Sequence, residues 1–325
     1  MPGLTAPDAA TPDGFRRAVE TLAGHVLQTD ARLALAVSGG PDSLAMLWLG
    51  ARAFGRRAIV LTVDHGLRVE AAAEAAAVCA HAAEMGLDSE VLSVTVKPTG
   101  AGLQADARAA RYAALGAWCR GQRVRTLLTA HHAEDQAETL LMRLARGSGV
   151  AGLAGIRAAR PLCADVWLLR PLLDVRKNAL ASVVAQAGWT AATDPANTDP
   201  RHDRTRARAL LANAPWLRAE ALAASAAELA EAEAALAWAE QRAWVSRVSS
   251  GPDAILIDAE GLPTELQRRL LTRALQSFGA QPRGRAVARL AARLTAGGRG
   301  TLGGVAASAR LEGWQLAPAA PPRRR

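Results

Sequence analysis

The chain has 325 residues, half of them hydrophobic, and carries a net charge of +9; that length allows one large or two modest domains. No apolar run approaches the roughly 18 residues that cross a bilayer, and the opening MPGLTAPDAATPDG has neither a basic nor an apolar stretch and reads as a frayed leader, not a signal peptide. Cys79, Cys119 and Cys163 lie far apart with no CxxC pair, which speaks against a disulfide framework or zinc site and for a reduced, cytoplasmic setting.

In chain order, residues 1–20 are expected to be a disordered leader. Strands are expected at Leu33–Val37, Ala58–Val63, Glu90–Val96 and Arg125–Ala130. Each is apolar at nearly every position, as in strands buried on both faces. Helical stretches alternate with them: Ser43–Phe54, Val69–Met85, Gln104–Cys119 and Ala133–Leu144. This alternation predicts an α/β fold, a doubly wound parallel sheet. A fifth apolar run, Val166–Leu169, precedes a helix near Arg176–Ala187. The stretch around Ala191–Arg208 has two prolines and no apolar period and reads as a loop leading into a helix. Near residue 215 the character changes. A long Ala/Glu-rich helix follows, then short strand-like and helical pieces, so residues 21–215 are expected to form the catalytic domain. Residues 216–325 are expected to form a smaller, mainly helical one.

Only Lys97 and Lys177 are lysines; the other basic residues are arginines. Twelve of these arginines, against the single acid Glu312, fall between Leu266 and Arg325. A basic pole on a near-neutral body points to a polyanionic partner, most simply nucleic acid. The plainer alternative is a solvated surface in an arginine-rich composition.

The sharpest local signal is the turn Ser38-Gly39-Gly40-Pro41-Asp42-Ser43 between a strand and a helix. Such a turn offers backbone N–H groups and a helix N-terminus to phosphate. The two glycines allow close approach, Ser38 and Ser43 add hydroxyls, and Asp42 can hold a magnesium ion. No glycine precedes either lysine, so this is not a GxxxxGK[ST] loop; nor is it a GxGxxG fingerprint.

The turn matches the SGGxDS signature of the PP-loop ATP pyrophosphatases, whose fold resembles that of the adenine nucleotide alpha hydrolases and whose loop wraps the pyrophosphate of ATP. Further stretches narrow the resemblance: TVDHGLR at 62–68, QADARAARY at 104–112, HHAEDQAET at 131–139, RGSGVAGLAGI at 146–156, RPLLDVRK at 170–177 and DPANTDPRHDRTRAR at 194–208. In this order they closely resemble the tRNA(Ile)-lysidine synthetases over about residues 30 to 215, and more loosely to the end. Where that family commonly has Arg-Asn-Arg, this chain has Arg204-Thr205-Arg206.

The resemblance implies ATP and Mg2+ as cofactors and a tRNA(Ile) with a CAU anticodon and free L-lysine as partners. It is compatible with a homodimer. ATP would adenylate the wobble cytidine at its C2 oxygen, and the lysine amine would displace AMP. His132, Asp135, Glu138 and Thr139 share one helix face. Free lysine is mostly ammonium at neutral pH, so Asp135 and Glu138 are candidates to bind that cation and take its proton. Arg111 and either Arg204 or Arg206 are candidates to stabilise phosphate charge. Ser38, Gly39, Gly40, Pro41, Asp42 and Ser43 are expected around ATP, with Asp64, His65 and His132 close to the nucleotide. His65 reads equally as a contact to adenine or ribose and as a packed turn histidine. The rival readings are a PP-loop tRNA thiolase, which typically carries CxxC pairs, and a non-catalytic nucleotide-binding module.

Overall fold

The computed structural model describes residues 7–24, 31–66, 70–100, 102–192 and 203–319. It forms two compact units, Met1–Ala230 and Glu231–Arg325. Residues 1–6 of the expected leader, most of the expected loop before Arg204, and the terminal Arg323–Arg325 fall outside the described residues.

The first unit opens with a 3-10 turn, Pro7–Ala10, and helix α1, Pro12–Ala23. Thr11 caps α1 by accepting the Gly14 amide at 3.2 Å, and Pro12 sits in the first turn, where a missing N–H is harmless. Phe15 and Val19 are fully buried in the main core, and Phe15 meets Phe54 edge to face. Disorder through residue 20 is therefore corrected. Phe15, Ala18, Val19 and Leu22 form an apolar stripe at helical spacing, which the Pro- and Gly-containing lead-in masked.

The sheet and its helices then alternate: β1 Leu33–Ala36, α2 Pro41–Phe54, β2 Ala58–Asp64, α3 Glu70–Glu84, β3 Asp88–Ser93, α4 Leu103–Gly121, β4 Thr126–Leu128 and α5 Ala133–Ala145. A one-turn helix α6, Val150–Leu153, leads to β5 Ala159–Cys163, β6 Val166–Leu169, α7 Lys177–Gln186 and α8 Asp203–Asn213. The strand order is β3-β2-β1-β4-β6-β5, parallel except for the β5–β6 pair. This is the doubly wound sheet that the alternation predicts. Strand β1 connects to β2 and β3 on one side, and β4 connects to β6 and β5 on the other. The order reverses between β1 and β4, and open α/β sheets bind ligands at the carboxyl ends of strands at such a reversal.

One expected strand departs from burial on both faces, and one strand was not expected. β3 is an edge strand and mostly exposed, with Glu90 accepting from the Trp118 indole at 2.7 Å. β5 went unanticipated because Arg160 and Pro161 interrupt it; both residues suit an edge strand, which β5 is.

Helix α9, Ala219–Arg247, contains the division between the units, which falls beyond the boundary expected at 215. The second unit continues with β7 Val248–Ser250, β8 Ile255–Ile257, α10 Thr264–Ser277, α11 Gly284–Thr295, β9 Arg299–Leu302, β10 Val305–Arg310 and β11 Gly313–Pro318. Its five strands form an antiparallel sheet, β7-β8-β11-β10-β9. Leu270, Leu271 and Leu275 of α10 and Leu290 and Leu294 of α11 join Ile257, Val305, Trp314 and Leu316 in one core. The expectation of a mainly helical domain thus needs a sheet added to it. Gly303 and Gly304 both have positive φ between β9 and β10, as a two-residue hairpin turn of this hand demands.

Replacing Phe15 by Ala should lower the unfolding free energy by about 3–5 kcal/mol, as for a buried aromatic. Urea unfolding of the full chain measures it. A loss under about 1 kcal/mol would show that α1 lies outside the cooperative core.

Candidate active site

The ends of β1 and β4 frame a cleft of about 300 Å³. After β1, the turn Ser38–Ser43 enters α2. Gly39 has φ +84°, a left-handed value that favours glycine. Ser43 is buried and braces the turn from within. Its hydroxyl donates to the Gly40 carbonyl at 2.9 Å and accepts the Ser38 amide at 3.1 Å. Pro41 begins α2, so the helix N-terminus opens toward the cleft with Ser38, Gly40, Asp42 and Ser43 in its lining. Asp42 Oδ1 is buried without a hydrogen-bond partner.

After β4 the chain passes through His131 and His132 into α5. The His132 amide donates to Asp135 Oδ2 at 3.2 Å, which fastens the helix start. The His132 ring is buried behind the lining. Its Nε2 lies 3.4 Å from Asp42 and 3.6 Å from Asp135, and its Nδ1 lies 3.0 Å from Glu134. Burial favours the neutral ring, but the hydrogen bonds to Asp42 and Glu134, with Asp135 nearby, outweigh it and hold His132 up to about 10. His132 is therefore an imidazolium clasped by three carboxylates. His131 also lines the cleft, and burial pushes it the other way, well below the ordinary histidine range.

Glu134 ties this centre to its surroundings. It accepts Arg176 Nε at 3.0 Å and the Lys177 amide at 2.9 Å, and Arg176 in turn pairs with Glu220. Burial opposes ionisation of Glu134, yet His132, the Lys177 amide and Arg176 bring its carboxyl down to about 2.

Asp135 faces the cleft beside Arg111, Arg204 and Arg208. Glu138, one turn further along α5, is only 2% exposed. It accepts Arg208 Nε at 2.6 Å and lies 3.5 Å from Arg204 Nε. Its first task is to hold two arginines of α8 at the cleft. Arg206 is 70% exposed, 3.8 Å from Asp203, and lies outside the lining. The cleft thus gathers Arg204 and leaves out Arg206. Arg208 went unrecognised although it belongs to the same RTRAR stretch, because helical spacing from Arg204 was the signal that placed it on the same face. Arg108, Tyr112 and His131 are further lining residues not singled out from the sequence.

His65 and Asp64 stand at the end of β2, outside the lining. Arg111 Nε donates to His65 Nε2 at 3.4 Å, so His65 steadies that arginine. Asp64 accepts the Gly66 amide at 2.8 Å in the turn.

Substituting Glu134 by Gln should destabilise the chain at neutral pH by about 1–3 kcal/mol, as for a buried charged hydrogen-bond acceptor. The folded carboxyl titrates near 2, against the ordinary 4.5. The advantage over the variant is therefore complete above 4.5 and shrinks as pH falls toward 2. Urea titrations from neutral to acid pH measure the gap; a gap that stays constant contradicts the assignment.

The chain matches the PP-loop domain family over residues 13–214. It is similar to the tRNA(Ile)-lysidine synthase of Novosphingobium aromaticivorans, 44% identical with 91% of each chain covered. It is likewise similar to that of Zymomonas mobilis, 41% identical over 81% of this chain and 80% of the relative. Among solved structures, a U34-tRNA thiolase from Methanococcus maripaludis shares the fold, with a TM-score of 0.53, 18% identity, and coverage of 67% of this chain and 79% of that one. The chain belongs to the tRNA(Ile)-lysidine synthase family of PP-loop proteins.

Proposed function

We propose that the chain ligates free L-lysine to C2 of the wobble cytidine in the CAU anticodon of tRNA(Ile), consuming ATP and releasing AMP and pyrophosphate. The observation that carries this reading is the pairing, across one cleft, of a phosphate-binding turn with Asp135 and two arginines held by Glu138. In the first step the C2 oxygen of the cytidine attacks the α-phosphorus of ATP, and pyrophosphate leaves from the Ser38–Ser43 turn. In the second the lysine amine attacks C2, and AMP departs with the oxygen.

The residues divide this work by charge. The turn amides and the α2 N-terminus receive the pyrophosphate. A magnesium ion would suit Asp42, whose Oδ1 has no hydrogen-bond partner, and would supply neutralisation of phosphate charge. Arg111, Arg204 and Arg208 stabilise the charge that develops on the α-phosphate. Asp135 receives the lysine ammonium and takes its proton before attack. Glu138 serves as the anchor of the arginines.

A thiolase reading lacks support here, because the chain has no CxxC pair and Cys119 is buried with its thiol pushed up to about 12 by burial, an unreactive state. The same free thiols fit a cytoplasmic setting.

Incubation with ATP, labelled lysine and a CAU-anticodon tRNA(Ile) transcript, followed by nucleoside analysis, should give lysidine with one AMP per lysine incorporated. ATP bound without turnover would sink the reading. Asp135→Asn should slow lysine transfer by about 10²–10⁴-fold while adenylated tRNA still forms. Glu138→Gln frees Arg204 and Arg208 and should slow adenylation itself, by roughly 10²-fold. Identical losses in both steps for both variants would contradict this division.

The basic second unit is the proposed tRNA-backbone surface, and its arginines are of two kinds. Arg269 is nearly buried and pairs with Glu233, Glu265 and Glu240; Arg268 pairs with Glu265; Arg273 stacks on Trp244 and binds Gln241. These are structural. Arg285, Arg289 and Arg293 are exposed along one face of α11, opposite buried Val287, Leu290 and Leu294. Replacing these three by Gln should weaken tRNA binding and reduce its salt slope by roughly 0.7–0.9 per phosphate contact. The constants for ATP and lysine should stay put. An unchanged slope in salt-dependent titrations would remove α11 from the docking surface.

A further inference from the structure

The phosphate turn has a brace on its far side, built from residues that the chemistry above does not use. Helix α7 is closed by two backbone hydrogen bonds: the Gly188 amide donates to the Ala185 carbonyl at 3.1 Å and the Trp189 amide to the Val184 carbonyl at 3.3 Å. This ending swings the Trp189 ring onto α3. The indole stacks on the His81 ring, with centroids 4.4 Å apart and planes inclined by 27°. Its Nε1 donates to Glu84 Oε2 at 3.0 Å. The same carboxylate oxygen lies 3.6 Å from His81 Nδ1, so Glu84 holds both rings. Trp189 and Ala191 also pack against the main core. Residues 189–192 thus form a strap fastened by its first side chain.

The other end of the strap reaches the turn. The Ala192 amide donates to the Gly39 carbonyl at 3.1 Å. A Cβ placed on Gly39 would meet Val78 Cγ2 of α3 at 3.6 Å and Ala192 Cβ at 3.8 Å, so helix and strap both lie in van der Waals reach of the turn. The hydrogen bond also fixes a direction. A trans peptide unit is planar, and its carbonyl and the following N–H point opposite ways. With the Gly39 carbonyl held toward Ala192, the Gly40 N–H points away from the strap, and Gly40 lines the cleft. Two adjacent glycines leave that peptide free to rotate unless something holds it. A donor that must first be oriented binds an anion less well than one already in place.

We propose that Trp189 is a positioning residue for ATP: acting through the Ala192 amide, it locks the Gly39-Gly40 peptide so that the Gly40 N–H is aimed at the pyrophosphate part of the nucleotide. Trp189 lies outside the lining of the cleft and acts only through the strap. This deepens the functional reading above and rests on it, since it takes the turn to be the seat of the pyrophosphate.

The test measures binding of ATP, inorganic pyrophosphate and AMP to the full chain, below the thermal transition of each variant. Trp189→Ala should raise the Kd for ATP and for pyrophosphate by roughly 3–10-fold, the worth of one backbone hydrogen bond. The Kd for AMP, which lacks the pyrophosphate, should stay within about twofold. Ala192→Pro removes the amide donor and should produce the same pattern with the Trp189 clasp in place. The two changes together should weaken ATP binding no more than Ala192→Pro alone, because both interrupt one path. Trp189→Phe keeps a ring on His81 and should recover most of the affinity. Unaltered ATP binding in both single variants overturns the proposal. Equal weakening of all three ligands, or full additivity of the two changes, overturns it as well, because the strap would then support the fold and not the turn. If the unaltered chain itself binds ATP no more tightly than AMP, the functional reading falls, and the inference with it.

Discussion

Everything at the site depends on β1 pairing in parallel with β4. That pairing, Ala34 with Leu127 and Leu35 with Leu128, places two strand ends side by side although almost a hundred residues separate them in the chain. Each end carries a helix whose first turn bears the chemistry. From β1 comes the glycine turn and Asp42; from β4 come His132 and Asp135. The 3.4 Å approach of His132 to Asp42 is the electrostatic seal across this junction. The strands themselves contribute only burial: Leu33, Leu35, Leu127 and Leu128 are fully enclosed, which makes the platform rigid enough to fix distances above it.

Charge is then layered on that platform in alternating sign. Working outward from the phosphate turn there is a carboxylate, Asp42, an imidazolium, His132, and the carboxylates Asp135 and Glu134. Beyond them stand Arg176 on one side and Arg204 on the other. The carboxylates of this centre each lie within reach of a cation. Among the described residues four buried side-chain atoms have no hydrogen-bond partner: Asp42 Oδ1, His65 Nδ1, Glu138 Oε2 and Arg170 Nε. The unused carboxylate oxygen of Asp42, in the turn that opens α2, fits a cation there.

The fold was legible wherever apolar patterning dominates. Strands β1, β2 and β6 and helices α2 and α5 follow from runs of Leu, Val and Ala between turn signals. Patterning is blind at edges, where β3 is exposed and β5 carries Arg160 and Pro161. It was also masked at α1, behind Thr11-Pro12-Asp13-Gly14. In the site, motif position brought out the turn and the acidic face of α5. It could not rank Arg204 against Arg206 and passed over Arg208, because in one dimension alternate arginines look alike. A helix separates them: residues 204 and 208 stack on one face, and 206 turns away. Nor could it tell that Glu138 is enclosed by those arginines, since burial of a carboxylate depends on what packs over it from α8, far along the chain.

The arginines carry the same lesson to the level of the whole surface. Composition alone gathers them into one basic pole beyond residue 265, yet position in the fold sorts them by what surrounds each guanidinium. Arg269 is satisfied by three glutamates and has no capacity left for a phosphate. Arg143 is satisfied by backbone carbonyls. Arg285, Arg289 and Arg293 face water, on a helix whose other side is committed to the core. Arg108, Arg160 and Arg170 line a cleft in which the carboxylate among the described residues, Asp203, pairs with Arg146. An arginine's capacity for a polyanion is the part of its hydrogen-bonding fork that the protein leaves unused. Net charge over a segment therefore measures long-range attraction, whereas the seat for a particular phosphate is set by the local shortage of carboxylates.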